Sequence, residues 1–218
     1  MHKVLYLTYD GLTDPLGQSQ VLPYVLELSR QGFSFVILSC EKPDVYKKNK
    51  GIIEKLLEGT DVKWVPVFYT KKPPVLSGVY NYLKLKRRAT SLHLKNNFQL
   101  VHCRGPLVSL IGDWMKIRYK VKFLFDMRGF WADERVDGGI WDLNKIVYRK
   151  VFHFFKRKEK EFLEKADHIV SLTHAGKKEM DSEYRCSSLV FIFIMVCIFG
   201  TFRSKSAIEE GNNGYRLE

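Results

Sequence analysis

The sequence predicts an α/β fold, a doubly wound and mainly parallel sheet with helices on both faces. Three observations carry the prediction. Six short apolar runs recur along the chain. Most are continuous rather than alternating, as strands buried on both faces are. Helical patterns separate most of them, the alternation that βα units require. With 218 residues, the chain is long enough for one large domain or two small ones with a real core.

The strands are expected at Lys3–Thr8, Phe33–Cys40, Lys63–Tyr69, Leu100–Cys103, Lys122–Asp126 and His168–Leu172. Between the first two, Gln20–Gln31 sets Val21, Val25 and Leu28 on one helical face. Pro23 falls in its first turn, where a missing N–H costs little, and Gly32 is a natural stop. Tyr46–Leu57 and Ser77–Leu94 supply the next two helices. Leu107–Tyr119 follows Pro106, a residue suited to a helix start. Asp142–Ala166 carries a long apolar stripe that includes Leu143, Ile146, Phe155 and Phe162. No internal repeat is visible.

The pattern fails after about Tyr184. Leu189 to Phe202 is almost wholly apolar, and the polar stretch RSKSAIEEGNNGYRLE follows. The run is short for a membrane span, which needs about 20 residues. It reads first as a buried strand or helix, with a membrane anchor as the alternative. The expected division is therefore 3–180 as the α/β domain and 181–218 as an atypical tail.

A net charge of +12 favours anionic partners: phosphorylated ligands, acidic lipid or nucleic acid. No RNA-binding motif or helix-turn-helix stands out, so nucleic acid is not expected. Cys40, Cys103, Cys186 and Cys197 form no CxxC pair, which argues against a zinc knuckle or redox dithiol. Cys40 and Cys103 sit in apolar runs and are expected buried, in a reducing cytosol. The N-terminus has no apolar segment of signal-peptide length.

Two stretches stand out chemically. Ligands of open α/β sheets bind outside the carboxyl ends of the strands, where TYDGLTDPLGQSQ leaves the first strand. Gly11 and Gly17 allow close backbone approach. Their spacing is neither GxGxxG nor a P-loop. The second stretch, FDMRGFWADERVDGGIW at Phe125–Trp141, reads as one charged loop at the same edge. Arg128 can hold negative charge through forked hydrogen bonds. Asp126 and Glu134 can contact hydroxyl groups, and Trp131 can stack on a sugar face. His102–Pro106 ends the fourth strand likewise. Arg104 and Gly105 are its ligand candidates, whereas His102 reads as packed or hydrogen-bonded. The two glycine-bearing turns are expected to line one side of a shared crevice.

LTYDGLTDPLGQSQVLPY together with DMRGFWADERVDGG resembles the N-terminal half of a bacterial family 4 glycosyltransferase of the GT-B fold, and ADHIVSLTHAGKKEM resembles the segment that closes it. The resemblance spans about Lys3 to Met180. It implies a Rossmann-like, acceptor-side domain, one of two that face each other across a cleft. It implies retaining transfer from a nucleotide-sugar donor to a glycan or lipid-linked acceptor, with no metal or other cofactor, in cell-envelope polysaccharide synthesis. It places Gly17 and its neighbour Gln18 near donor sugar and diphosphate, and the Arg128–Gly129 loop at the cleft. The expected location is cytoplasmic, peripheral on the inner membrane face, with the basic stretches Tyr82–Lys95 and Arg149–Lys160 as lipid contacts. The family's donor-side pair is two glutamates. Glu210 and Glu218 have its spacing but stand in the polar tail, and the match is read as chance. The expectation is thus a truncated or frame-disrupted product lacking most of the donor site. A non-catalytic binding or scaffold module of the same fold, and a basic nucleic-acid-binding protein, are the alternatives.

Overall fold

A computed structural model describes residues 2–73, 76–184, 189–198 and 201–206, the last two stretches by their backbone. Six strands fall where the apolar runs predict: β1 (His2–Thr8), β2 (Phe33–Glu41), β3 (Val62–Phe68), β4 (Leu100–Arg104), β5 (Lys122–Met127) and β6 (His168–Ser171). Two more follow, β7 (Leu189–Ile198) and β8 (Thr201–Ser206). The sheet order is β3-β2-β1-β4-β5-β6-β7-β8. Every pairing from β3 to β7 is parallel, and β8 runs antiparallel to β7.

The seven described helices are α1 (Leu22–Arg30), α2 (Pro43–Leu57), α3 (Leu76–Asn96), α4 (Pro106–Tyr119), α5 (Trp131–Asp137), α6 (Ile146–Lys165) and α7 (His174–Tyr184). The sheet is wound in two directions. Val4, Tyr6, Phe35 and Ile37 face α1 and α2 through Leu22, Val25 and Ile53. Leu5, Leu7, Val36, Leu38, Val101 and Phe123 face α3, α4 and α6 through Leu85, Ile111 and Phe162. Neighbouring strand residues point to opposite faces, and both faces are covered, so the strands read as unbroken apolar runs. A Cβ at Gly112 would fall 2.6 Å from the Phe123 ring. That glycine lets α4 lie close against β4 and β5.

From β1 the chain winds outward to β2 and β3, then returns to the other side of β1 as β4. The loops after β1 and β4 therefore part at the carboxyl edge, the switch point at which open α/β sheets form crevices. Register sets the strand tips level: Thr8 lies opposite Arg104, and Arg104 opposite Asp126.

Several elements differ from expectation. The supposed loop Phe125–Trp141 contains α5, whose first turn holds Asp133 and Glu134, favourable beside the helix's positive end. Glycines at 129, 138 and 139 hid this seven-residue helix. The long helix begins at Ile146 rather than Asp142 because Asp142 makes a turn, its carboxylate accepting from the Asn144 amide at 3.0 Å. A π-helical turn, Gly17–Val21, precedes α1. The run from Leu189 enters the sheet as β7 beside β6. Among the described residues no helix is long and apolar enough to cross a membrane. Cys40 and Cys103 are buried free thiols, while Cys186, Glu210 and Glu218 lie outside the described residues.

Candidate functional site

The level strand tips gather a polar cluster. Arg104, at the end of β4, is 7% exposed. Its guanidinium pairs with the Asp10 carboxylate and donates to Gln20 Oε1 at 2.6 Å. Arg128, just past β5, donates to the same oxygen at 2.6 Å and lies 3.4 Å from Asp126 Oδ1. The other Asp126 oxygen is 3.4 Å from His102 Nε2. The rings of Tyr6 and Tyr24 flank His102, with centroids 4.4 and 5.6 Å away.

Burial is the largest influence on Asp126 and opposes its ionisation. The His102 hydrogen bond and the charges of Arg128 and Arg104 together outweigh it, and the carboxyl pKa is held below its usual range. Asp126 is therefore an ionised anchor for Arg128 and a weak proton acceptor. Burial pushes the Tyr6 and Tyr24 phenols upward, with Asp126 adding to the shift, so both stay neutral donors.

The first loop is organised by a residue that sequence reading did not single out. Glu41, at the end of β2, is fully buried. Its carboxylate accepts from the Leu12 amide (2.6 Å), the Thr13 amide (3.2 Å), and the hydroxyls of Thr13 and Ser39. A Cβ at Gly11 would come within 2.7 Å of this carboxylate. One at Gly17 would overlap the Gly11 carbonyl and lie 2.6 Å from Leu12 Cα. Both glycines are buried, so close packing within the loop accounts for them. Gln18 reaches the Thr13 carbonyl at 2.9 Å.

The crevice between the two turns is corrected by this geometry. β4 intervenes between β1 and β5. Gln20 bridges the turns, and the void beside it, lined by Tyr6, His102, Asp126 and Arg128, measures about 10 Å³. That is room for about one water, not a sugar. The open space lies one strand further along, where a cleft of about 610 Å³ separates the β5 tip and α5 from the β6 tip and α7. Arg128, Gly129 and Glu134 line it, with Asp133, Asp137, Lys156, Ser171, Thr173 and Glu179.

Gly129 adopts a φ of 150°, and a Cβ there would overlap the Glu134 carboxylate. Gly105, at φ 88°, turns the chain from β4 into α4. Trp131 stands in an aromatic cluster rather than in the lining of the cleft: its ring meets Trp141 at 5.1 Å and Phe155 at 4.9 Å, with the Arg135 guanidinium 4.9 Å from its centre. Among the described residues, no group of three or more His, Cys, Asp or Glu is arranged to hold a metal ion.

A doubly wound sheet with a polar cleft at its carboxyl edge is the architecture of one half of a GT-B glycosyltransferase, and solved structures of that class superpose on it. Sucrose-phosphate synthase from Thermosynechococcus elongatus matches 89% of this chain and 48% of its own at 10% identity, with a TM-score of 0.64. A glycosyltransferase from Rickettsia africae matches 89% and 43% at 12% identity (TM-score 0.55). Anabaena HepE, in complex with UDP and glucose, matches 88% and 44% at 8% identity (TM-score 0.54). The chain thus spans about half the length of these solved structures. No curated protein sequence matches it. The sequence model of Glycosyltransferase Family 4 matches residues 19–192, and the chain belongs to that family.

Proposed function

We propose that this chain is the acceptor-side domain of a retaining glycosyltransferase of the cell envelope. It holds a glycan or lipid-linked acceptor while a sugar moves from a nucleotide-sugar donor, without a metal. The observation that carries this reading is the cleft of about 610 Å³ at the carboxyl edge, which Arg128 and Gly129 line together with Ser171 and Thr173. Family membership supplies the reaction class. Anabaena HepE, solved with UDP and glucose, supports a nucleotide-sugar partner. Arg128, fixed by Gln20 and Asp126, is the group to stabilise negative charge on the departing diphosphate.

The proposed setting is the inner membrane face, with α3 as the contact. This helix carries five Lys or Arg residues and no carboxylate. Its first half exposes Leu76, Val79, Tyr80 and Leu83, the i, i+3, i+4, i+7 spacing of one helical face. It is tied to the first loop by the Asn81 amide, 3.0 Å from the Tyr9 hydroxyl. Apolar area plus basic charge is the combination that docks helices on anionic bilayers.

The reading is tested by NMR titration of the chain with neutral oligosaccharides and, separately, nucleotide sugars. Shifts at Arg128–Glu134 and Ser171–Met180 on adding saccharide are expected. Saccharide shifts confined to other surfaces, or none, overturn the acceptor assignment.

A further inference from the structure

The cleft's charge runs against that of the molecule. The chain carries +12 overall, yet among the described residues Asp133, Glu134, Asp137 and Glu179 line the cleft against two cations, Arg128 and Lys156. The cations are engaged: Arg128 with Asp126, and Lys156 with Asp133 at 2.7 Å and Glu159 at 3.3 Å. Among the described residues, Glu134, Asp137 and Glu179 form no ion pair with any side chain. They stand on α5 and α7, the two helices that wall the cleft.

Unpaired carboxylates accept hydrogen bonds from sugar hydroxyls and attract an ammonium group, but repel a carboxylate or phosphate on the same ring. We propose that the cleft selects its saccharide by charge, preferring amino-bearing rings, accepting neutral ones, and rejecting uronic-acid rings. The proposal rests on the acceptor-site reading above and names the substrate class of that site. Three exposed carboxylates within about 8 Å of a bound charge act through water and salt, so the discrimination expected between amino and acidic sugars is about tenfold.

The test compares three oligosaccharides of equal length: β-1,4-linked glucosamine, its N-acetylated counterpart and oligogalacturonate. Each is titrated at near-physiological salt, with affinity read from NMR shifts of Gly129 and Gly176, so that non-specific attraction of the acidic oligomer to the basic surface is not counted. The expected order is amino, then neutral, then acidic. A triple variant, Glu134→Gln, Asp137→Asn and Glu179→Gln, is expected to bring the three affinities within about twofold while the neutral oligomer still binds. Equal or tighter cleft binding by oligogalacturonate, or a preference unchanged in the triple variant, overturns charge selection and leaves the acceptor site standing. Absence of all three saccharides from the cleft overturns both readings.

Discussion

Arg104 and Arg128, 24 positions apart, donate to one and the same oxygen, Gln20 Oε1, each at 2.6 Å. Level register at the tips of β4 and β5 brings their guanidinium groups together, and Asp10 and Asp126 offset the repulsion from the outer sides. The amide oxygen between them ties the π-helical turn before α1 to two strand ends. It fixes Arg128 at the rim of the cleft.

Replacing this shared acceptor should be costly. Gln20→Leu leaves the two cations facing each other without their shared acceptor, and a loss of about 1–3 kcal/mol is expected in urea unfolding. Gln20→Glu supplies an oxygen and a negative charge, so it should retain most of the stability. Equal loss in both variants would show that side-chain packing, not hydrogen bonding, holds the cluster.

Acid should loosen the β4–β5–β6 region first. Asp126 and Asp167 both have pKa values below the ordinary carboxylate range. For Asp167, burial again opposes ionisation but is outweighed by the Phe123 amide at 2.8 Å and by Lys116 and Lys122. A depressed folded-state pKa gives stability that is complete above the unfolded value, about 3.9, and is lost as pH falls through the folded value. Unfolding free energy measured from pH 6 to pH 2 should therefore drop below about pH 4. Asp167→Asn should flatten part of that drop.

Glu41 should behave as the clamp of the first loop. Glu41→Ala strands the Leu12 and Thr13 amides in a buried site, and a loss of about 3 kcal/mol or more is expected. Hydrogen exchange at those two amides should accelerate far more than in β1. Unchanged protection would remove Glu41 from this role.

Two glycine substitutions should move in opposite directions. Gly17→Ala forces a methyl group against the Gly11 carbonyl and Leu12, at a cost of about 1–3 kcal/mol. Gly51→Ala, inside α2 with nothing within 4 Å of its Cβ position, should stabilise by about 0.5–1 kcal/mol. Thermal unfolding of the pair checks both signs.

The α3 face should bind anionic vesicles. Sedimentation with vesicles rich in phosphatidylglycerol is expected to pull down the chain, and phosphatidylcholine alone to leave it in solution. Arg87→Glu with Arg88→Glu, both exposed, should reduce binding markedly, since each basic residue near the surface contributes about 1 kcal/mol. Leu83→Ser should weaken it further. Binding indifferent to lipid charge would count against α3 as the contact.

The six strands and most helix positions were legible because apolar periodicity is a local signal. Val25, Leu85 and Phe162 fall on the buried side wherever their helices land on the sheet. The site was legible only in part. Arg128, Gly129 and Glu134 do line the cleft, as their place past a strand end implies. The short helix α5 was lost among glycines and charges, and Trp131 proved to belong to an aromatic cluster with Trp141 and Phe155. Gln20 and Glu41 carry no local mark beyond a charged residue closing the apolar run FSFVILSC. The loop partners of Glu41 lie 28 and 29 residues away, and the partners of Gln20 lie 84 and 108 away.

By itself the sequence determined the six strands and most of the helices, and that the loops of interest leave strands at one edge. Burial pattern and chain direction are written residue by residue. Only the tertiary structure decided which tips stand side by side, that β4 separates the two glycine turns, and that the open cleft lies between α5 and α7. Strand order and register come from many weak contacts distant in sequence, and charges meet or miss one another only after those contacts have formed.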